Sequence, residues 1–360
     1  MRRIALIEFN TWHGECLEPQ LEYLKASGCD VTLICPKKTL SAVSAAALSG
    51  VRYVECPEKK GIRNVMAVRN ALANGRIDVA ILNTAQGSEV TKLMLLPRPG
   101  KTRFVGTIHN LHKLAHSTGQ KIINWKIEGY YVISRHLLPQ LKKLTYKPTQ
   151  YYSPLDKSKS PISEPTRERA AGERWLAIPG SIELKRRSYA KLIDMVLSPL
   201  FRNVRFILLC NARKGDGPQF LQKVRQILFL KEVHRLGLED RFITFGGFVP
   251  SATFDAYMRE CDYILALIDG DTPNAADYKT TKTSGSFSLA ASYGKPLLCD
   301  SYMADIEDFD PPHIFYHNDE ELAEIINSGR KPEASPRLDF EEERQRYMSL
   351  VDSLTNLPSN

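Results

Sequence analysis

Four short stretches of this chain combine residue types that could bind an anion or move a proton. Pro179-Gly180-Ser181 follows an apolar run, with Lys185, Arg186 and Arg187 a few residues on. A glycine there lets an anion approach the backbone, and a lysine or arginine supplies the opposing charge. A solvated helix start with surface cations is the plain alternative. Lys282 precedes Thr283-Ser284-Gly285-Ser286, a polar turn of small residues where a helix is expected to begin. Free N–H groups and the helix dipole favour an anion at such a point, although a serine N-cap alone would use the same residues. His109 closes an apolar run and opens the polar Asn110-Leu111-His112. It could hold a hydroxyl or carry a proton, or be a satisfied loop histidine. His13 and Glu15 flank Gly14 after the first apolar run, a place that suits a general base. Shaping that loop is the alternative role.

The elements that must position these residues read as two rounds of strand and helix. In the first half, apolar runs at 3–9, 31–35, 51–54, 79–82, 104–108, 130–133 and 150–153 are expected strands. Helical periods fall at 17–26 and 63–74. Residues 154–174 are rich in Pro, Ser, Lys and Glu and have no apolar period, which marks a boundary. The alternation then restarts, with strands at 175–178, 204–209, 242–245, 263–268 and 296–299 and helices at 188–197, 218–236, 252–260, 285–293 and 319–327. A charged amphipathic helix is expected at 339–354. Short buried strands alternating with helices predict α/β domains with parallel sheets. The expected division is a first domain at 1–158, a linker at 159–174, a second domain at 175–335, and a closing segment 336–360 that packs back on the first domain.

Composition narrows the function classes. Of 360 residues, 43% are hydrophobic and 25% charged, which excludes a disordered, collagen-like or disulfide-scaffold chain. The seven cysteines are widely spaced with no C-x-x-C pair, so neither a disulfide framework nor a structural zinc site is expected, and a reducing, cytoplasmic setting is. No G-x-G-x-x-G or Walker A pattern follows a strand, so no dinucleotide cofactor is expected. Asp269-Gly270-Asp271 resembles a metal-binding D-x-D, but a loop turn is the preferred reading and no metal is expected. The net charge of +8 is uneven, because residues 1–160 hold 24 Lys and Arg against 11 Asp and Glu. Between Lys113 and Lys147 the cations interleave with Trp125, Tyr130 and Tyr131. That pattern suits an anionic membrane surface or a phosphorylated lipid, with a solvated basic face as the alternative. Nothing supplies a stacking platform for nucleic acid.

Longer segments carry a resemblance. Residues 236–268 read LGLEDRFITFGGFVPSATFDAYMRECDYILALI and 282–298 read KTSGSFSLAASYGKPLL. Earlier come TWHGECLEPQLEYLKASGCDVTLIC at 11–35, GTIHNLH at 106–112 and YYVISRHLLPQLKK at 130–143. In this order, across both halves, they resemble the GT-B glycosyltransferases, especially those of family 4. The resemblance implies two Rossmann-like, doubly wound parallel-sheet domains facing a central cleft. It implies transfer of a sugar from a nucleotide-diphospho-sugar, without a metal or other cofactor, to a saccharide or lipid-linked saccharide in bacterial surface polysaccharide synthesis. His109, His13 and Glu15 would then be catalytic. Gly180, Lys185, Arg186, Phe248, Val249, Tyr278, Lys282, Ser284, Gly285 and Ser286 would hold the donor, and Trp12 and Gly14 the acceptor. The family's two glutamates, spaced E-x7-E, map to Thr281 and Leu289, neither of them acidic. A catalytically silent binding protein and a nucleotide-sugar epimerase of the same fold are the competing readings.

Overall fold

The computed structural model describes residues 1–58, 61–157, 164–183, 185–211, 229–247, 249–333 and 338–355. Most of the helix expected at 218–236, and Phe248, lie outside the described residues. Packing divides the chain into two units. One comprises residues 1–155, 280–282 and 338–360, the other 156–279 and 283–337.

The first unit is built on β1 (Arg3–Ile7), β2 (Asp30–Cys35), β3 (Arg52–Glu55), β4 (Val79–Leu82), β5 (Arg103–Thr107), β6 (Ile127–Val132) and β7 (Thr149–Tyr151). They form a parallel sheet in the order β3-β2-β1-β4-β5-β6-β7. Ile4 to Ile7 and Val79 to Leu82 are buried throughout, because helices cover both faces of the sheet. Alternate residues feed two cores, with Ile7 and Leu82 in one and Leu6 and Ile81 in the other. The helix Ile62–Asn74 buries Val65, Val68 and Leu72, the stripe that its spacing predicts. The helix Phe340–Thr355 packs on the helix Leu17–Ala26 and on β7. It opens with Glu341-Glu342-Glu343, so this unit holds 25 Lys and Arg against 15 Asp and Glu, a smaller surplus than residues 1–160 carry.

The second unit has β8 (Arg174–Pro179), β9 (Val204–Asn211), β10 (Phe242–Phe245), β11 (Tyr263–Leu265), β12 (Leu297–Asp300) and β13 (His313–Tyr316). They pair in parallel in the order β10-β9-β8-β11-β12-β13. The strand expected at 263–268 stops at Leu265. Leu267 adopts φ 53°, a costly conformation for a branched residue, and its carbonyl accepts from Ser188 N at 2.9 Å. Strand β13 and the helices Ser88–Leu95 and Thr118–Lys126 were not predicted. The interfacial reading of Tyr130 and Tyr131 is corrected. Both are fully buried in β6, one in each core, and of the three aromatics only Trp125 is exposed.

Candidate functional site

In each sheet the strand order reverses once, between β1 and β4 and between β8 and β11. The loops leaving those neighbours part in opposite directions, which opens a crevice at the carboxyl ends of the strands. Each crevice collects polar groups.

In the first unit the collection centres on Glu8, which follows β1 and is 1% exposed. Its Oε2 accepts from Thr84 Oγ1 at 2.6 Å and Asn83 Nδ2 at 2.7 Å, and its Oε1 from Asn10 N at 2.8 Å and Asn10 Nδ2 at 3.1 Å. Burial pushes the Glu8 carboxyl up, and these donors only partly offset it. The loop then turns through His13 at φ 62°, a left-handed conformation that disfavours a non-glycine residue. The His13 carbonyl accepts from Cys16 N at 3.1 Å and Asn83 Nδ2 at 2.9 Å. Gly14 is required sterically, since a Cβ there would meet Ala42 Cβ at 2.8 Å. Glu15 is exposed, with Oε1 3.5 Å from His13 Nδ1, and Trp12 is exposed as well.

The His13 ring stacks on His109, with centroids 3.8 Å apart and planes at 10°. His109 Nε2 lies 2.7 Å from the Asn83 carbonyl, which can only accept, so the proton sits on Nε2. Nδ1 is then a bare acceptor, buried and with no partner. Burial and then the charge of His13 push His109 down to about 3, so it stays neutral and suits receiving a hydroxyl more than donating a proton. Stability follows from this. The unfolded chain takes up the His109 proton near its ordinary pKa of about 6.5, so this residue makes the fold lose stability as pH falls from about 6.5 towards 3. Glu8, raised in the fold, works in the opposite sense. Thermal unfolding of His109→Gln beside the parent, from pH 7.5 to 4.5, isolates the effect. The variant is expected to lose less stability on acidification, by about 1–2 kcal/mol at pH 5.

In the second unit, Gly180 follows β8 with φ 97°, and its Cα faces Arg187, whose Nη2 lies 3.1 Å from where a Cβ would stand. Arg187 is buried. Its Nη2 donates to Ser286 Oγ at 3.2 Å, its Nη1 is buried with no partner, and no carboxylate pairs with it among the described residues. Lys185 and Arg186 point outward instead, and Arg186 pairs with Glu183 at 3.0 Å. Asn274 Nδ2 ties the loop down through the Lys185 carbonyl at 3.2 Å. Ser284 caps the helix Gly285–Tyr293, accepting from Ser286 N at 3.3 Å. The serine N-cap weighed for this turn is present. Tyr278 is buried near Arg186 and Arg187. Burial raises its hydroxyl pKa, and the two guanidiniums partly counter that.

Other candidates land elsewhere. Val249 is part of the core with Trp175 and Tyr257. Lys282 groups with the first unit, in a segment where Leu111 N donates to Thr281 O at 2.9 Å. Asp269 Oδ1 accepts from Thr272 Oγ1 at 2.8 Å within a turn, so the D-x-D letters serve the loop. Among the described residues no group of three or more His, Cys, Asp or Glu could hold a metal ion, and all seven cysteines are free. Sequence reasoning passed over Glu8, Asn83 and Gln20, which are isolated polar letters beside apolar runs. It also ranked Arg187 below its two neighbours, because nothing in Lys-Arg-Arg says which side chain turns inward.

No protein-family model and no curated protein matches the sequence. Solved structures do match by shape. The Anabaena protein HepE, crystallised with UDP-glucose, is 15% identical, covering 99% of this chain and 100% of its own, with a TM-score of 0.65. Sucrose-phosphate synthase from Thermosynechococcus elongatus is 14% identical over 97% and 95%, with a TM-score of 0.61. A glycosyltransferase from Rickettsia africae is 12% identical over 98% and 97%, with a TM-score of 0.57. The fold is GT-B. At these identities the likeness is one of fold, and it agrees with the two doubly wound sheets described above.

Proposed function

We propose that this chain is a glycosyltransferase that takes a sugar, of hexosyl type, from a nucleotide-diphospho-sugar and passes it to a saccharide or lipid-linked saccharide, as in bacterial surface polysaccharide synthesis. Arg187 carries the proposal. Among the described residues no carboxylate pairs with this buried guanidinium, a costly arrangement that an anionic ligand would offset. Gly180 gives backbone access beside it, and the helix starting at Gly285 adds its N-terminal N–H groups. Charge on a departing diphosphate would be stabilised there, so no metal is required in this scheme. His109 Nδ1 would accept from a sugar hydroxyl, and the His13–Glu15 pair would take a proton from an acceptor hydroxyl. Binding of UDP-glucose by HepE makes uridine nucleotides the first donors to try. The non-acidic Thr281 and Leu289 favour one other reading, a protein that binds nucleotide without turnover. A panel of UDP-, GDP- and dTDP-sugars with and without acceptor decides. Nucleotide release that requires acceptor supports the transferase, interconversion without acceptor would mean an epimerase, and thermal stabilisation with no turnover a binding protein.

A lipid-linked acceptor would bring the chain to a cytoplasmic membrane face as a peripheral protein. Among the described residues no helix is long and apolar enough to cross a membrane. Trp125 and Leu95 stand 77% and 61% exposed at the ends of the helices Thr118–Lys126 and Ser88–Leu95. Beside them lie Lys126, bonded to the Leu96 carbonyl, and Arg69 and Arg98, whose charges add to burial in lowering Lys126. Cations around an exposed tryptophan suit an anionic interface. Trp125→Ala is expected to weaken binding to phosphatidylglycerol vesicles about 10-fold, the loss of one buried aromatic. Co-sedimentation at low and high salt checks this, and equal binding by parent and variant would overturn it.

A further inference from the structure

The polar chain beneath the His13 loop runs in one direction. The His13 carbonyl can only accept, so the Asn83 amide turns its NH2 towards it at 2.9 Å, and the other hydrogen of that NH2 reaches Glu8 Oε2 at 2.7 Å. Asn83 Oδ1 is left to accept from Gln20 Nε2 at 2.7 Å, while Gln20 Nε2 also donates to Cys16 O at 2.8 Å. Gln20 Oε1 therefore faces Tyr347, whose hydroxyl donates to it at 3.0 Å. The Asn83 backbone carbonyl, separate from this amide, holds His109 Nε2. One asparagine thus pins both stacked histidines, His13 by its strained backbone and His109 by its ring. The backbone carbonyls of His13 and Cys16 set the direction of this chain, and the Glu8 carboxyl, which touches neither ring nitrogen by hydrogen bond, clamps the Asn83 amide in that direction.

We propose that Glu8 is a positioning residue for His13, and through the ring stack for the His13–His109 pair, acting through the Asn83 side-chain amide. The inference rests on the glycosyltransferase reading for its kinetic consequence, but its structural consequence stands apart from that reading. Glu8→Gln keeps the shape and presents an NH2 group to donors. In this variant kcat is expected to fall about 100-fold with KM for donor and acceptor nearly unchanged, the scale of a misplaced reacting group. Nucleotide affinity is expected to stay at the parent level. Histidine-selective NMR reads the geometry directly, because rings stacked at 3.8 Å shift one another's proton signals. Those shifts are expected to collapse in Glu8→Gln. Should that variant not fold, Thr84→Val, which removes one donor to Glu8, is expected to move the same signals by a smaller amount.

The double variant Glu8→Gln with Asn83→Asp separates positioning from simple stability. It restores a donor–acceptor pair between the two side chains but removes the side-chain donor to the His13 carbonyl, leaving only Cys16 N. Recovery of the unfolding temperature without recovery of turnover or of the ring shifts supports the proposal. Recovery of all three, or parent-like ring shifts in Glu8→Gln, overturns it. If the parent chain transfers no sugar, the functional reading fails while the NMR outcome still decides the role of Glu8.

Discussion

Replacing Arg187 with alanine is expected to weaken nucleotide-diphosphate binding by about 100-fold or more, the scale for removing one partner of a buried, charge-assisted hydrogen bond. The ligand phosphates would lose a cation that is already desolvated and aimed beside Gly180, so little reorganisation offsets the loss. The same substitution is expected to leave the ligand-free fold as stable as the parent or more so, because it removes a buried charge that has no carboxylate partner among the described residues. That pairing of lost affinity with retained stability marks a group kept for binding. Lys185→Ala and Arg186→Ala are the controls. Both side chains are exposed and are expected to change affinity by no more than about 3-fold, as exposed charges usually do. Calorimetric titration with UDP, GDP and dTDP, together with thermal unfolding, measures both arms. Undiminished affinity in Arg187→Ala for every nucleotide that the parent binds would remove the observation on which the proposed function stands.

The second large effect is on stability. Tyr347 lies in the helix Phe340–Thr355 and is fully buried. It stacks on Tyr131 at 4.7 Å, meets Tyr152 edge-on at 5.5 Å, and its carbonyl accepts from the Tyr131 hydroxyl. Tyr347→Ala removes the ring and leaves Gln20 Oε1 without its donor. The expected cost is about 4–5 kcal/mol, from the range for burying and then deleting an aromatic side chain. Tyr347→Phe keeps the ring and loses only the hydrogen bond, so about 1 kcal/mol is expected. Denaturant titrations that follow the first unit's transition distinguish the two. Equal, small losses would mean that the cavity collapses and that this helix contributes little.

The elements were readable wherever burial imposes a long or continuous pattern. The runs at Ile4 and Val79 are apolar throughout because both sheet faces are covered, and the stripe Val65, Val68, Leu72 repeats at helical spacing. Leu267 shows where such reading fails. Its letters continue a strand, but a left-handed turn takes it out of the sheet to receive Ser188 N. Tyr130 and Tyr131 look amphipathic beside lysines, yet strand alternation sends one into each core. For the candidate site, the sequence pointed to His13, Glu15, His109, Gly180 and the Ser284–Ser286 turn, since those residues stand at the ends of recognisable elements.

The sequence by itself determined that the chain makes two parallel α/β units, because buried strands and amphipathic helices are written in local periods. Only the tertiary structure decided that Arg187, and neither Lys185 nor Arg186, turns inward, and that Glu8, Asn83, Gln20 and Tyr347 join into one polar chain. Tyr347 stands 327 residues from Gln20, and Asn83 stands 75 from Glu8. Hydrogen bonds across such separations depend on which strand ends the sheet order brings together, and no local pattern of residues encodes that.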